Sequence, residues 1–140
     1  MININHSELF RQAVESELDE YFAGGASKHS QWAKRGIDPN LLGAATSKYI
    51  ALYMLVQWTW ESLTSLYPSV LGRCQSPKEV MIKSVREFSG DFQLAVVTAC
   101  REIASQSKCS KKNALLEAFD VADGDMAREI LEIVVLRDAL

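Results

Sequence analysis

Apolar residues recur at the three- and four-residue spacing of an α-helix along most of the chain. The first such segment covers about residues 6–23, and Gly24 and Gly25 end it. A shorter helix is predicted near residues 27–35, where it carries Trp32.

The third predicted helix has the clearest boundaries in the first half of the chain. Asp38 precedes Pro39, a pair typical of a helix start, because Asp caps free backbone N–H groups and Pro is favoured in the first turn. Pro68 ends the periodic pattern, so this helix is predicted over about residues 39–67. Residues 68–75 are predicted to form a loop.

A second strong helix start opens the other half of the chain. Ser76 before Pro77, with Glu79 in the first turn, is a capping pattern. The apolar positions downstream keep one helical phase across Gly90, so we interpret residues 77–106 as one helix with a weak point at that glycine. Two helices stacked end to end are the alternative.

Two further helices are predicted in the remaining residues. They cover about 113–122 and 125–139, separated by a turn at 123–125. The β-branched residues of the last segment leave a terminal strand as the alternative. The sequence therefore predicts an all-α fold: one domain over residues 1–140, a bundle of five to seven helices around the apolar helix at 39–67.

The helix at 39–67 is apolar on every side. Its most apolar run, 49–60, is shorter than the about 20 residues of a membrane span. A helix of this kind must be surrounded by its own domain or by a partner. We interpret it as the axis of the bundle, and we expect any open part to lie along one aromatic stripe, whose candidate partner-binding residues are Tyr49, Tyr53, Trp60 and Tyr67. Because aromatic stripes at helical spacing are usually interior, core is the favoured interpretation of this stripe and an interface is the alternative.

Charge is segregated along the chain, although the net charge is only −3. Residues 1–25 hold five acids and one base, residues 113–140 hold seven acids and two bases, and residues 26–112 hold twelve bases and six acids. The acidic ends can pack beside the basic middle and neutralise it, or the molecule can present a bipolar surface that steers a charged partner. The candidate nucleic-acid-binding residues are Lys28, Lys34, Arg35, Lys108, Lys111 and Lys112.

The sequence contains no motif that is typical of catalysis or of metal binding. Cys74, Cys100 and Cys109 are an odd set without a C-x-x-C pair, which argues against a disulfide framework and against zinc. Cys100 is predicted to be core. Cys109, among lysines, is predicted to be an exposed, unreactive thiol, with a lowered pKa as the alternative. Reduced thiols and the lack of a secretory signal predict a cytoplasmic protein.

The acidic turn at 120–125 resembles the start of a calcium loop, but the register that places Gly124 at the sixth position puts the apolar Phe119 and Ile130 at ligand positions. His6 and His29 have no second ligand at metal-binding spacing. A glycine-rich phosphate loop and a nucleophile elbow are both absent from the sequence. The sequence predicts no catalytic residue, no metal and no cofactor.

We therefore expect a non-enzymatic protein-interaction module of the inhibitor, immunity, anti-defence or adaptor type, which docks a helical surface onto another protein or protein complex. One alternative is a small helical subunit that contacts nucleic-acid phosphates inside a ribonucleoprotein assembly. A pI of about 5.4 argues against a domain that binds nucleic acid by itself, but this argument does not apply to a subunit of an assembly. The other is an enzyme whose site is assembled from scattered residues. Homo-oligomerisation is compatible with each, and no membrane partner is expected.

Overall fold

The computed structural model describes residues 6–24, 29–87, 90–107 and 110–120. Within these ranges the secondary structure is helical, with seven helices and no strand, which confirms the predicted all-α bundle. The helices are α1 (His6–Phe22), α2 (His29–Ala33), α3 (Pro39–Leu66), α4 (Pro68–Leu71), α5 (Pro77–Glu87), α6 (Asp91–Ser107) and α7 (Ser110–Asp120).

The start of α3 is the one that its sequence predicts. The Asp38 carboxylate accepts a hydrogen bond of 2.9 Å from the Asn40 N–H, and Pro39 occupies the first turn. The helix ends within one residue of the predicted position. The prediction of a loop over 68–75 is wrong in its first part, because Pro68 opens the short helix α4. This helix ends at Leu71 and is followed by Gly72, which has a φ of 61°.

The prediction of one continuous helix over 77–106 is also wrong. α5 ends at Glu87 and α6 begins at Asp91. A Cβ atom built on Gly90 would lie 3.0 Å from the Glu87 Cβ, so a larger residue at this position would require Glu87 to shift by a few tenths of an ångström. The acidic Asp91 then favours a new N-terminus, because its charge complements the helix dipole.

The boundaries of the other helices differ modestly from the prediction. α2 covers His29–Ala33, and α7 begins at Ser110 instead of residue 113. The polar residues that open α7 indicated a loop because they interrupt the apolar period, but a helix can also begin with polar residues. The predicted turn at 123–125 and helix at 125–139, with its strand alternative, lie outside the described residues.

The helix α3 contacts each of the six other described helices. The core is formed by fully buried side chains of α3 together with those of its neighbours, among them Leu52, Leu55, Leu63, Met81 and Leu115. Enclosure of α3 on every side is not confirmed, since Gln57, Glu61 and Leu66 are exposed. Among the described helices none has the length and apolarity that crossing a bilayer requires.

Candidate partner-binding surface

Tyr49 belongs to the core and not to an open aromatic stripe. Its side chain is 3% exposed, and its hydroxyl donates a hydrogen bond of 3.2 Å to Gln93 Oε1 on α6. Burial raises the pKa of this hydroxyl to about 12, because the ionised form would lose its hydration. Tyr49 is therefore removed from the candidate partner-binding residues.

The other three residues of the stripe are half-buried. Tyr53, Trp60 and Tyr67 lie at seven-residue intervals and so on one side of α3 and its C-terminal cap. The Tyr67 hydroxyl is hydrogen-bonded to the Glu102 carboxylate, and this bond raises the pKa of Tyr67. The stripe is thus neither fully core nor fully exposed.

Two aromatic residues of α1 extend the open part of this stripe. The Phe22 ring packs edge-to-face on Tyr53, with centroids 5.0 Å apart, and Tyr21 packs edge-to-face on Phe22 at 5.4 Å. Tyr21 is 46% exposed. Its pKa is raised by burial of part of the ring and by the nearness of Tyr53. We call Tyr21, Phe22 and Tyr53 the aromatic surface.

The local sequence explains why these rings lie at an edge of the bundle. α1 ends at Phe22, and Gly24 adopts a φ of 76°, a left-handed conformation that terminates a helix. The Gly24 N–H donates to the Tyr21 carbonyl at 3.1 Å, which closes this last turn. Because the helix stops there, no further turn of α1 covers Tyr21.

Tyr21 and Phe22 were not among the residues predicted to bind a partner. Both have the helical spacing of core positions, and periodicity alone does not separate a buried ring from one at a helix end. The signal that points to them is their place directly before Gly24 and Gly25, where a chain reversal lies at the surface.

Two acidic residues of α1 have ion pairs with described residues, and the two in its last turn do not. Glu8 and Glu15 are paired: Arg11 binds Glu8 and lies 3.6 Å from Glu15, and Arg86 Nε on α5 donates to Glu15 at 3.0 Å. The hydrogen bond from Arg11 lowers the pKa of Glu8. Asp19 and Glu20, in the last turn, have no ion pair with any described residue.

The predicted nucleic-acid-binding residues are only partly described. Lys34 and Arg35 are exposed in the turn after α2, where the Arg35 guanidinium lies 4.8 Å from the centre of the Trp32 ring. Lys112 is half-buried on α7. Lys28, Lys108 and the side chain of Lys111 lie outside the described residues. The described part of the chain therefore brings together one adjacent pair of these cations.

The two described thiols are poor nucleophiles. Cys100 is fully buried, as predicted, with its Sγ 3.6 Å from the Thr59 Oγ1, and burial raises its pKa to about 11. Cys74 is half-buried, and burial also raises its pKa. Because the thiolate is the reactive form, both groups are mostly inert near neutral pH. Cys109 lies outside the described residues.

In the described ranges, no three His, Cys, Asp or Glu side chains converge as metal ligands. The side chains of His6 and His29 lie outside the description. Of the calcium-like turn at 120–125, Asp120 is described, and its carboxylate is engaged in an ion pair with Arg101.

Comparison with known proteins adds no functional assignment to this geometry. No protein-family model matches the chain, and no significant match was found among curated proteins or among solved structures. The surface formed by α1 and α3 is therefore the basis on which a function is proposed.

Proposed function

We propose that the protein is a non-enzymatic interaction module that binds another protein through the aromatic surface formed by Tyr21, Phe22 and Tyr53. The observation that carries the proposal is the chain of edge-to-face rings across two helices, which ends on the half-exposed Tyr21. Tyrosine and other aromatic residues are enriched at protein interfaces, where the ring is buried and the hydroxyl stays hydrogen-bonded.

The rings are positioned before any partner arrives. Phe22 lies between Tyr21 and Tyr53, and Lys78 Nζ on α5 lies 5.1 Å from the centre of the Phe22 ring. Each contact limits the rotamers of the side chains involved, so less conformational entropy is lost on binding. Trp60, half-buried two turns further along α3, extends the same side toward the C-terminal end of that helix.

A binding experiment with matched variants tests the proposal. The wild-type chain, Tyr21→Ala and Tyr53→Ala are used for affinity purification from the native source, and the recovered proteins are quantified. Leu94→Ala is the control, because Leu94 is 66% exposed on α6 and lies outside the aromatic surface. We expect recovery of the partner to fall about tenfold or more for Tyr21→Ala and Tyr53→Ala and to be unchanged for the control, since aromatic residues often dominate binding energy.

Far-UV circular dichroism of each variant separates loss of binding from loss of the fold. Retained helical signal with lost recovery supports the proposal. Equal recovery by the wild type, both tyrosine variants and the control contradicts it.

A further inference from the structure

A seven-residue repeat runs along α3 and its C-terminal cap. One row of the repeat is buried, with at most 3% of each side chain exposed: Tyr49, Val56 and Leu63. The row that lies four residues further along is half-buried: Tyr53, Trp60 and Tyr67. Two apolar rows at this spacing form the seam along which one helix packs beside another. We call the half-buried row the open row, since it is the half of the seam that remains accessible.

The end of the open row at Tyr53 carries positive charge. The Phe22 ring packs on Tyr53 with centroids 5.0 Å apart, and Lys78 Nζ lies 5.1 Å from the centre of the Phe22 ring. Lys78 is exposed in the first turn of α5, where the free N–H groups of the helix add a partial positive charge. An acidic side chain that approaches this end of the open row therefore meets a favourable potential.

The end of the open row at Tyr67 carries negative charge. The Tyr67 hydroxyl donates a hydrogen bond to the carboxylate of Glu102, which is exposed on α6. An ionised carboxylate has about four acceptor positions, so this bond leaves Glu102 able to accept from a cation as well. The last carbonyl groups of α3 add a partial negative charge at the same end. Because Tyr53 and Tyr67 are about 21 Å apart along the helix axis, the open row extends over about four turns between opposite charges.

We propose that the protein partner presents an amphipathic α-helix of about four turns, which packs along the open row with an acidic side chain at the Lys78 end and a basic side chain at the Glu102 end. This inference rests on the proposed function and names the kind of partner that binds beside the aromatic surface. The seam supplies the apolar contact, and the two end charges set the direction in which the partner helix lies. Complementary charges of this kind select partners and fix their register.

Three synthetic peptides of eighteen residues with blocked ends serve as probes. Each has leucine at positions 5, 9 and 12, charged residues at positions 2 and 16, and alanine or glutamine elsewhere, so that the leucines and the charges share one side of a helix. The bipolar peptide has glutamate at position 2 and lysine at position 16, the acidic peptide has glutamate at both, and the basic peptide has lysine at both. Fluorescence anisotropy measures their binding to the full-length protein at physiological salt. We expect the bipolar peptide to bind at least fivefold more tightly than either of the others.

The variant Lys78→Glu tests the positive end of the open row. In this variant the basic peptide should become the tightest binder, because both ends of the row are then negative. Lys34→Glu is the charge-matched control, since Lys34 is exposed beside the start of α3, about four turns before Tyr53. The control should leave the order of the three affinities unchanged, because a charge at that distance is largely screened at physiological salt.

The variant Glu102→Lys tests the negative end, and in it the acidic peptide should become the tightest binder. This change also removes the hydrogen bond from the Tyr67 hydroxyl. Tyr67→Phe is therefore the matched control, because it loses the same hydrogen bond and keeps the charge of Glu102. It should keep the bipolar peptide as the tightest binder, whatever its effect on the affinity itself. Far-UV circular dichroism verifies that each variant retains its helical content.

Equal affinity for the three peptides, no measurable binding of any of them, or an unchanged order of affinities in either Lys78→Glu or Glu102→Lys would overturn the inference. The outcome for the proposed function is read separately from the affinity purification. If the native partner still requires Tyr21 and Tyr53 while the bipolar peptide is not preferred, the partner helix with its two end charges is wrong and the interaction surface stands.

Discussion

Tyr49 and Tyr53 lie one turn apart on α3, yet their surroundings differ. Tyr49 faces α6, where it is buried and hydrogen-bonded to Gln93. The contact between α3 and α6 also includes the buried side chains of Thr59 and Cys100. Tyr53 faces the end of α1, where its ring meets Phe22 and remains half-buried. The first region is closed by a packed helix, and the second lies beside a helix terminus.

The difference shows that exposure is decided by where the neighbouring helix stops. Four residues along a helix turn a side chain by only about 40°, so Tyr49 and Tyr53 point in similar directions. α6 runs on from Gln93 to Ser107, whereas α1 ends at Phe22 and its chain turns away at Gly24. Two tyrosines with equivalent positions in the apolar pattern therefore differ in burial.

The largest expected effect comes from truncating the two tyrosines. Tyr49→Ala should lower the free energy of unfolding by about 3–5 kcal/mol, the range for deleting a buried ring. Tyr53→Ala should lower it by about 1–2 kcal/mol, since its ring is half-buried. Urea denaturation followed by circular dichroism measures both. Equal losses would mean that the two regions are packed alike.

A smaller effect is expected from pH. The Tyr49 hydroxyl has a pKa raised from 10.0 to about 12, so its contribution to stability is complete below pH 10. Above pH 10 the hydroxyl ionises first in the unfolded chain, and the free energy of unfolding should fall by about 1.4 kcal/mol per pH unit until about pH 12.

The variant Tyr49→Phe isolates this contribution. It should lose about 1 kcal/mol at neutral pH with the hydrogen bond to Gln93, and its stability should fall less steeply than that of the wild type between pH 10 and 12. Below pH 9 the two stability curves should run parallel. Identical slopes above pH 10 would show that the Tyr49 hydroxyl is not the group responsible.

The smallest effect concerns the charge at the end of α1. Asp19→Asn should raise the free energy of unfolding by about 0.3–1 kcal/mol at low salt, because it removes an anion from a helix C-terminus. Asp91→Asn, in the first turn of α6, should lower it by a similar amount. Both effects should shrink in high salt. Destabilisation by Asp19→Asn would mean that this acid has a partner in the folded protein.

The helix ends were predictable wherever they depend on adjacent residues. The starts at Asp38 with Pro39 and at Ser76 with Pro77 are found where the sequence predicts them, and Pro68 ends α3. The break at Gly90 was the alternative and not the favoured prediction, because the apolar phase continues across it. Whether a glycine bends, breaks or is absorbed into a helix depends on the packing of both flanking segments.

The sequence predicted that aromatic residues would form a candidate binding surface, but it identified only some of the residues that belong to it. Any open part of α3 was expected along its aromatic stripe, with core as the favoured interpretation of the stripe itself. Tyr53, Trp60 and Tyr67 are half-buried there, whereas Tyr49 is core. Tyr21 and Phe22 contribute to the aromatic surface from α1. Phe22 and Tyr53, whose rings are in contact, are 31 residues apart in the sequence. No local pattern relates two residues so far apart.

The sequence by itself determined that the described part of the chain is helical, where most of the described helices begin and end, and that α3 is the most apolar among them. Caps, prolines and apolar periodicity act over about four residues, so they can be seen in the sequence. Only the tertiary structure decided which side of α3 is closed by α6 and which lies open beside the end of α1. Burial is a sum over contacts between residues distant in the chain, and that sum does not exist until the helices pack.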